Sequence, residues 1–271
     1  MRRALAGRDP ARDDRAARPA GLALDWDAEV YDRVSDPQLA WGREVLERLD
    51  PRPDETVLDA GCGTGRLTEL LVERLPRGRV IAVDASPAMV ARARERLGQG
   101  VEVSEADLAE LRLEEPVDAV FSNAVFHWIP DHGRLFRALH GALRPGGRLV
   151  AQCGGRGNVA ALSEAIGRVS ARPPFAIHLE GRPKPWTFAA PEEAAAALDA
   201  AGFRGVECWL EPKPVRPPSP RDYLATVTLG HHLEQLPGEL GDDFVDAVAA
   251  ELPEPLTLDY VRLNIEARRP W

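Results

Sequence analysis

Thr56-Val57-Leu58-Asp59-Ala60-Gly61-Cys62-Gly63-Thr64-Gly65 is the stretch on which the reading of this chain turns. Thr56 to Asp59 is a short, largely β-branched run, and Leu67, Leu70, Leu71 and Leu75 then recur at helical spacing. Glycines between a strand and a helix let a ligand approach the backbone at the carboxyl end of a sheet, where open α/β sheets bind their ligands. Here they stand at positions 61, 63 and 65, whereas the dinucleotide fingerprint places its third glycine one residue later, where Arg66 stands. A pyrophosphate site is therefore disfavoured. A lone run of this kind is equally well read as a tight turn, so the residues around it must decide.

Working outward, Arg79 to Asp84 reads as a second strand that ends on an acid. Ser86 as N-cap and Pro87 in the first turn open a helix with Met89, Ala93 and Leu97 on one face. Val101 to Val103 is a third strand and Val117 to Ser122 a fourth. Leu135, Leu139 and Leu143 mark the next helix, and Arg144-Pro145-Gly146-Gly147 turns the chain into a fifth strand at Arg148 to Gln152. Five β–α units in succession predict a doubly wound, parallel α/β sheet. Asp84, 19 residues past Gly65, stands where a carboxylate accepts both hydroxyls of a ribose. Asp107, just past the third strand, is placed either to receive an adenine amino group or to be a solvated turn acid. With Asp59, these acids on successive strand ends favour a ligand carrying positive charge and no phosphate, of which S-adenosylmethionine is one.

Beyond Cys153 the rhythm breaks. Gly154, Gly155 and Gly157 loosen the chain, an Ala/Leu/Ile-rich helix follows, and five prolines between Arg172 and Pro191 predict a loop-rich insertion over the sheet. Pro191 with Glu192 and Glu193 opens a further helix that Gly202 stops, and Val206 to Leu210 is a late strand. Ser219-Pro220 predicts another helix start, with Asp222 completing an acidic capping box. Leu256 to Ile265, apolar on both faces, reads as a strand buried within the sheet. The expected division is a flexible tail at 1–22, a cofactor-binding core with an N-terminal lid helix at 23–153, an inserted cap at 154–190, and the remainder of the sheet with further cap helices at 191–271.

The whole chain has 271 residues, 44% apolar and 28% charged, with a net charge of −9. That composition excludes a disordered chain and a membrane span, and the acidic balance argues against a nucleic-acid partner. Only Lys184 and Lys213 among the 34 basic residues are lysine, so the arginine richness is a compositional bias and no nucleic-acid signature. No apolar stretch follows Arg2-Arg3, so a twin-arginine export signal is not supported and a cytoplasmic location is expected. Cys62, Cys153 and Cys208 lack any C-x-x-C pair, and His231-His232 would point about 100° apart on a helix, so no metal site is expected.

Five pieces, VLDAGCGTG (57–65), AVDASPAMV (82–90), EADL (105–108), FSNAVFHW (121–128) and LRPGGRL (143–149), resemble the class I methyltransferases that use S-adenosylmethionine, over roughly Leu58 to Gln152. Trp26 with Tyr31, Phe121-Ser122-Asn123-Ala124 with His127-Trp128, and Tyr260-Val261-Arg262 are similar to the trans-aconitate 2-methyltransferase family in particular. The proline-rich insertion matches nothing in that pattern. The resemblance implies a Rossmann-like, mostly parallel seven-stranded sheet of order 3-2-1-4-5-7-6 with a helical and loop cap, in which Leu256 to Ile265 is the antiparallel strand. It implies S-adenosyl-L-methionine as cofactor, contacted by Trp26, Tyr31, Asp59, Gly61, Gly63, Asp84, Ala85, Met89, Asp107, Leu108 and Asn123. It also implies an acidic small-molecule acceptor met by Tyr260 and Arg262, with His127 and Trp128 at the reacting centre; Arg156, just beyond the fifth strand, is an acceptor candidate by its position.

Methyl transfer from a sulfonium is an in-line displacement that chiefly requires the nucleophile to be held about 3–3.5 Å from the methyl carbon. A carboxylate, with an ordinary pKa near 4, is ionised at neutral pH and needs no base. A hydroxyl or amine acceptor needs one, and His127 is the candidate. His127 reads equally as a ring packed under the cap, Trp128 as a wall residue or a face for the sulfonium, Trp26 and Tyr31 as a lid or an apolar staple, and Arg262 as a fork to a substrate carboxylate or a surface ion pair. Asn158, just past the fifth strand, is a further acceptor candidate. Transfer to a hydroxyl, amine or carbon, an NAD-dependent oxidoreductase and a non-catalytic cofactor-binding protein are the competing readings.

Overall fold

The computed structural model of the chain describes residues 36–271; Trp26, Tyr31, the 1–22 segment and the expected lid lie outside the described residues. Seven strands form one sheet: β1 (Thr56–Ala60), β2 (Arg79–Asp84), β3 (Glu102–Glu105), β4 (Val117–Asn123), β5 (Leu143–Gly154), β6 (Arg204–Pro212) and β7 (Val261–Arg268). Their order is β3-β2-β1-β4-β5-β7-β6. The first five run parallel, and β7 is antiparallel to both β5 and β6. The carboxyl ends of the parallel strands thus share one edge, and the amino-terminal part of β7 joins them there.

Helices cover both faces. On one, α1 (Asp36–Leu49) buries Val45, Leu46 and Leu49 with Val57, Phe121 and Val150 of the sheet and with Leu71 of α2 (Arg66–Arg74). Alongside, α3 (Pro87–Leu97) packs Val90 and Ala93 on Ala82 and Val103. On the other face, Leu135 and Leu139 of α4 (His132–Ala142) meet Leu58, Val83, Val120 and Ile265. Residues of each strand alternate between these two cores, as a pleated strand requires. Ser86 caps α3 as expected, its Oγ accepting the Met89 N–H at 3.4 Å.

All but one of the remaining helices form a cap with its own core. In chain order those remaining are α5 (Ala160–Ser170), α6 (Ala176–Leu179), α7 (Pro191–Ala200), α8 (Pro220–Tyr223), α9 (Gly230–Leu233) and α10 (Gly238–Ala250). Except for α7, which packs on the sheet, they contribute to a cluster of Leu162, Ile166, Phe175, Tyr223, Phe244 and Val248 around Trp41 and Tyr260.

Three expectations need correction. The Arg144 to Gly147 turn is absorbed into β5 as a register shift, with Gly146 at φ 78°. The last strand begins at Val261, not Leu256, because Leu258 exchanges both of its backbone hydrogen bonds with Val215, away from the sheet. The start at Ser219 does open α8, but its hydroxyl makes no capping bond, so no capping box forms there.

Candidate active site

A cleft of about 520 Å³ lies along the carboxyl edge of the sheet and is roofed by the cap. Its order of lining residues follows the strand order. Asp107 beyond β3, Asp84 at the end of β2, Gly61 and Gly63 beyond β1, and Asn123 and His127 at the end of β4 come in turn, and Arg262 on β7 closes the row. From β2 to β7 is four strand spacings, roughly 19 Å. The acids therefore stand at one end and the arginine at the other.

At the acidic end, Asp84 accepts the Gly63 N–H and the Ser86 N–H, both at 2.9 Å. Burial raises its pKa and these backbone donors oppose the rise. A carboxylate offers about four acceptor sites, so capacity remains for a ligand's hydroxyls. Gly63 sits at φ 53° with no atom within 4 Å of where a Cβ would stand. The backbone is bare toward the cleft there, and a side chain would intrude on a ligand. Ala85, Met89 and Leu108 supply apolar walls, while Asp107, exposed, also accepts the Ala109 N–H at 2.8 Å.

Asp59 behaves differently. It shares the face of Val57, so alternation turns it under α2, where Thr68 Oγ1 donates to it at 2.7 Å. Burial raises its pKa to about 7, helped by the nearby Asp84 charge and opposed by Thr68. It is not among the residues lining the cleft. Its place beside the glycine loop in sequence made it a candidate, and its place in the pleat removes it from direct contact.

At the other end, the register of β5 on β7 sets Gly154 opposite Arg262. The Gly154 N–H reaches His127 Nδ1 at 3.2 Å. A backbone N–H can only donate, so Nδ1 accepts and the ring proton of neutral His127 is on Nε2. Burial, with the Arg262 and His132 charges, holds its pKa well below 6.5, so the ring is neutral near pH 7. Arg262 is 2% exposed, lies over the Trp41 ring at 4.7 Å and donates from Nε to Gln152 Oε1 at 3.4 Å. Gln152 and Arg48 both donate to Asn264 Oδ1 at 2.8 Å, which extends a polar ladder between β5 and β7 beneath the site. Tyr260 adjoins, its hydroxyl 3.1 Å from that of Tyr223, which accepts from Gln38 Nε2 at 2.9 Å.

Aromatic rings wall this end. His127 lies 5.2 Å from Trp128 and 5.9 Å from Phe188, and Phe188 stacks on Trp186 at 5.6 Å. The Thr187 N–H donates to the His127 carbonyl at 2.8 Å, tying the proline-rich insertion to the β4 turn.

The comparisons with known proteins bear on this arrangement. Residues 57–147 match the model of a methyltransferase domain. Trans-aconitate 2-methyltransferase of Methylobacterium nodulans is 39% identical over 187 residues, covering 69% of this chain and 67% of that protein. The chain belongs to the class I S-adenosylmethionine-dependent methyltransferases. A second relative of the same name, from an Azoarcus species, is 44% identical over 127 residues, but the match spans only half of that protein. Phosphoethanolamine N-methyltransferase 2 of Haemonchus contortus, solved with S-adenosyl-L-methionine, shares the fold with a TM-score of 0.60 at 19% identity, over 90% of this chain and 57% of that one.

In this methyltransferase the bare Gly63 backbone and the Asp84 carboxylate fit S-adenosylmethionine, which supplies an electrophilic methyl group on a sulfonium. Of the site residues read from sequence, Gly61, Gly63, Asp84, Ala85, Met89, Asp107, Leu108, Asn123, His127, Trp128, Asn158, Tyr260 and Arg262 all line the cleft. Arg156 does not; its guanidinium pairs on the surface with Glu192 and Glu193. Sequence reasoning missed Gln38, Trp186, Phe188, Val227, Thr228, His231 and Gln235. These come from α1 and the cap, with no local motif to mark them.

Proposed function

We propose that the methyltransferase transfers its methyl group to a carboxylate oxygen of an organic acid. The observation that carries this reading is the buried guanidinium of Arg262 at the end of the cleft opposite Asp84. A desolvated arginine is suited to hold a carboxylate through two parallel N–H···O bonds, and in a low-dielectric wall that interaction is strong. In the same reading Asp84 takes the ribose hydroxyls, Asp107 lies toward the adenine, and the Gly61 and Gly63 backbone lies under the methionine part.

His127 supports the choice of acceptor. Its Nδ1 lone pair is occupied by Gly154 and its Nε2 carries the proton, so it is arranged to donate a hydrogen bond and not to take up a proton. A carboxylate acceptor has no proton to remove. What remains for the protein is to strip water from the acid, orient it and exclude solvent, which the aromatic wall of Trp128, Trp186 and Phe188 favours. A cytoplasmic location belongs to this reading and is supported by the three unpaired thiols. Among the described residues no helix is long and apolar enough to cross a membrane.

The test is methyl transfer from labelled S-adenosylmethionine to separate pools of acids, phenols and amines, with hydrolysis of the product in mild base. A base-labile ester from the acid pool is expected, with a pH profile of kcat/KM that is unchanged in His127→Gln, because His127 is neutral near pH 7 and the acceptor is ionised there. Base-stable product, or a rate that climbs with an acid-limb pKa lost in His127→Gln, would reject the carboxylate reading.

A further inference from the structure

Beside the acceptor end of the cleft lies a second hollow of about 230 Å³, between α5, the segment that follows α6, and His232 with Gln235. Its wall toward the cleft is common to both spaces: Arg182, Pro183, Lys184, Pro185, Trp186 and Gln235 line each of them. The hollow thus lies across this wall from the His127 end of the cleft, where Trp186 meets Trp128 and, through Phe188, adjoins His127.

Its lining includes buried Ile166 and Leu179 and the half-buried Trp186 ring, whereas Gly167, Ala171, Glu180, Arg182 and Lys184 are solvent-exposed. Gly167 completes it. This glycine is inside α5, where it costs about 1 kcal/mol relative to alanine. No neighbour demands it, since nothing lies within 4 Å of where its Cβ would stand. What the missing side chain does is leave the chamber open.

We infer that this chamber receives a hydrocarbon arm of the acceptor, so that the substrate class is a carboxylic acid with an apolar tail, its head at Arg262 and its tail passing the Trp186 face. The inference rests on the carboxylate reading and narrows it. With about 30 Å³, a water's share of liquid volume, allowed for each heavy atom, the 230 Å³ space takes an arm of about seven carbons. The partition is held in place for this: Trp186 stacks on Phe188, and Thr187 between them is anchored to the His127 carbonyl, so a chain leaving the reacting centre is led along an aromatic surface into the hollow. Each methylene removed from water there adds to affinity.

The experiment titrates straight-chain acids from butanoate to dodecanoate into the protein loaded with S-adenosylhomocysteine, by calorimetry, for the natural chain, Gly167→Ala and Gly167→Phe. Affinity is expected to rise more than ~10-fold from butanoate to decanoate, to keep that rise in Gly167→Ala, and to lose it in Gly167→Phe with butanoate binding unchanged. An affinity that does not depend on length, a length dependence that survives Gly167→Phe, or no binding of any acid overturns the inference. Ester formation in the same samples is scored separately. Acids that bind according to length and are never methylated leave the chamber standing and reject the carboxylate reading alone.

Discussion

The two ends of the cleft are built on different principles. At the acidic end, the ligand-facing groups are backbone and short side chains at the tips of consecutive parallel strands, each placed by its own β–α turn: Gly61 and Gly63 after β1, Asp84 after β2, Asp107 after β3. At the arginine end, the groups come from elements far apart in the chain. Gly154 of β5 fixes the His127 ring from β4, Gln152 and Asn264 support Arg262, and Trp186 and Phe188 arrive from the cap. One end is thus specified locally and the other only by the completed fold.

The sharpest way to break this comparison is Arg262→Met, which keeps the bulk over Trp41 and removes the charge. Loss of a desolvated, two-point carboxylate contact is expected to lower kcat/KM for the acid about 100- to 1,000-fold, with the affinity for S-adenosylmethionine unchanged. Calorimetry with the cofactor alone, run beside acceptor kinetics, checks the separation; equal losses in both would mean the two ends are not independent. Next in size is Asp84→Asn, which retains shape at the other end but weakens acceptance from the ribose and from the Gly63 N–H. A loss of about 2 kcal/mol in cofactor binding is expected, with acceptor KM at saturating cofactor unaltered. The smallest effect belongs to Arg156→Ala. Its partners Glu192 and Glu193 are solvent-exposed, so stability should change by less than about 0.5 kcal/mol and the kinetics not at all. A raised acceptor KM in that variant would return Arg156 to the site.

The same division explains what the sequence reveals. The five parallel strands, the Ser86 cap and the acids at the strand ends are legible because each signal lies within about ten residues of the structure it dictates. Asp59 shows the limit of proximity: it is next to the glycine loop in the chain, yet the period of the pleat puts it under Thr68. Leu256 to Leu258 carries the apolar pattern of a strand, but Val215, a residue from another segment, captures Leu258 first. Arg262 was legible from family resemblance. Its burial, the ladder beneath it and the ring state of His127 were not, since all three depend on the register of β7 against β5.

The insertion of β7 between β5 and β6 has a consequence for how the enzyme is made. Gln152 and Asn264, paired side by side, are 112 residues apart in the chain. During synthesis the cofactor-binding strands emerge and can pair long before the strand that brings Arg262 is available. Until it arrives, β5 and β6 each present an open edge, a template for pairing with other chains. The nascent chain can therefore assemble the Asp84 end of the cleft early and the Arg262 end last, when β7 covers the edge of β5 and leaves β6 as the rim of the sheet.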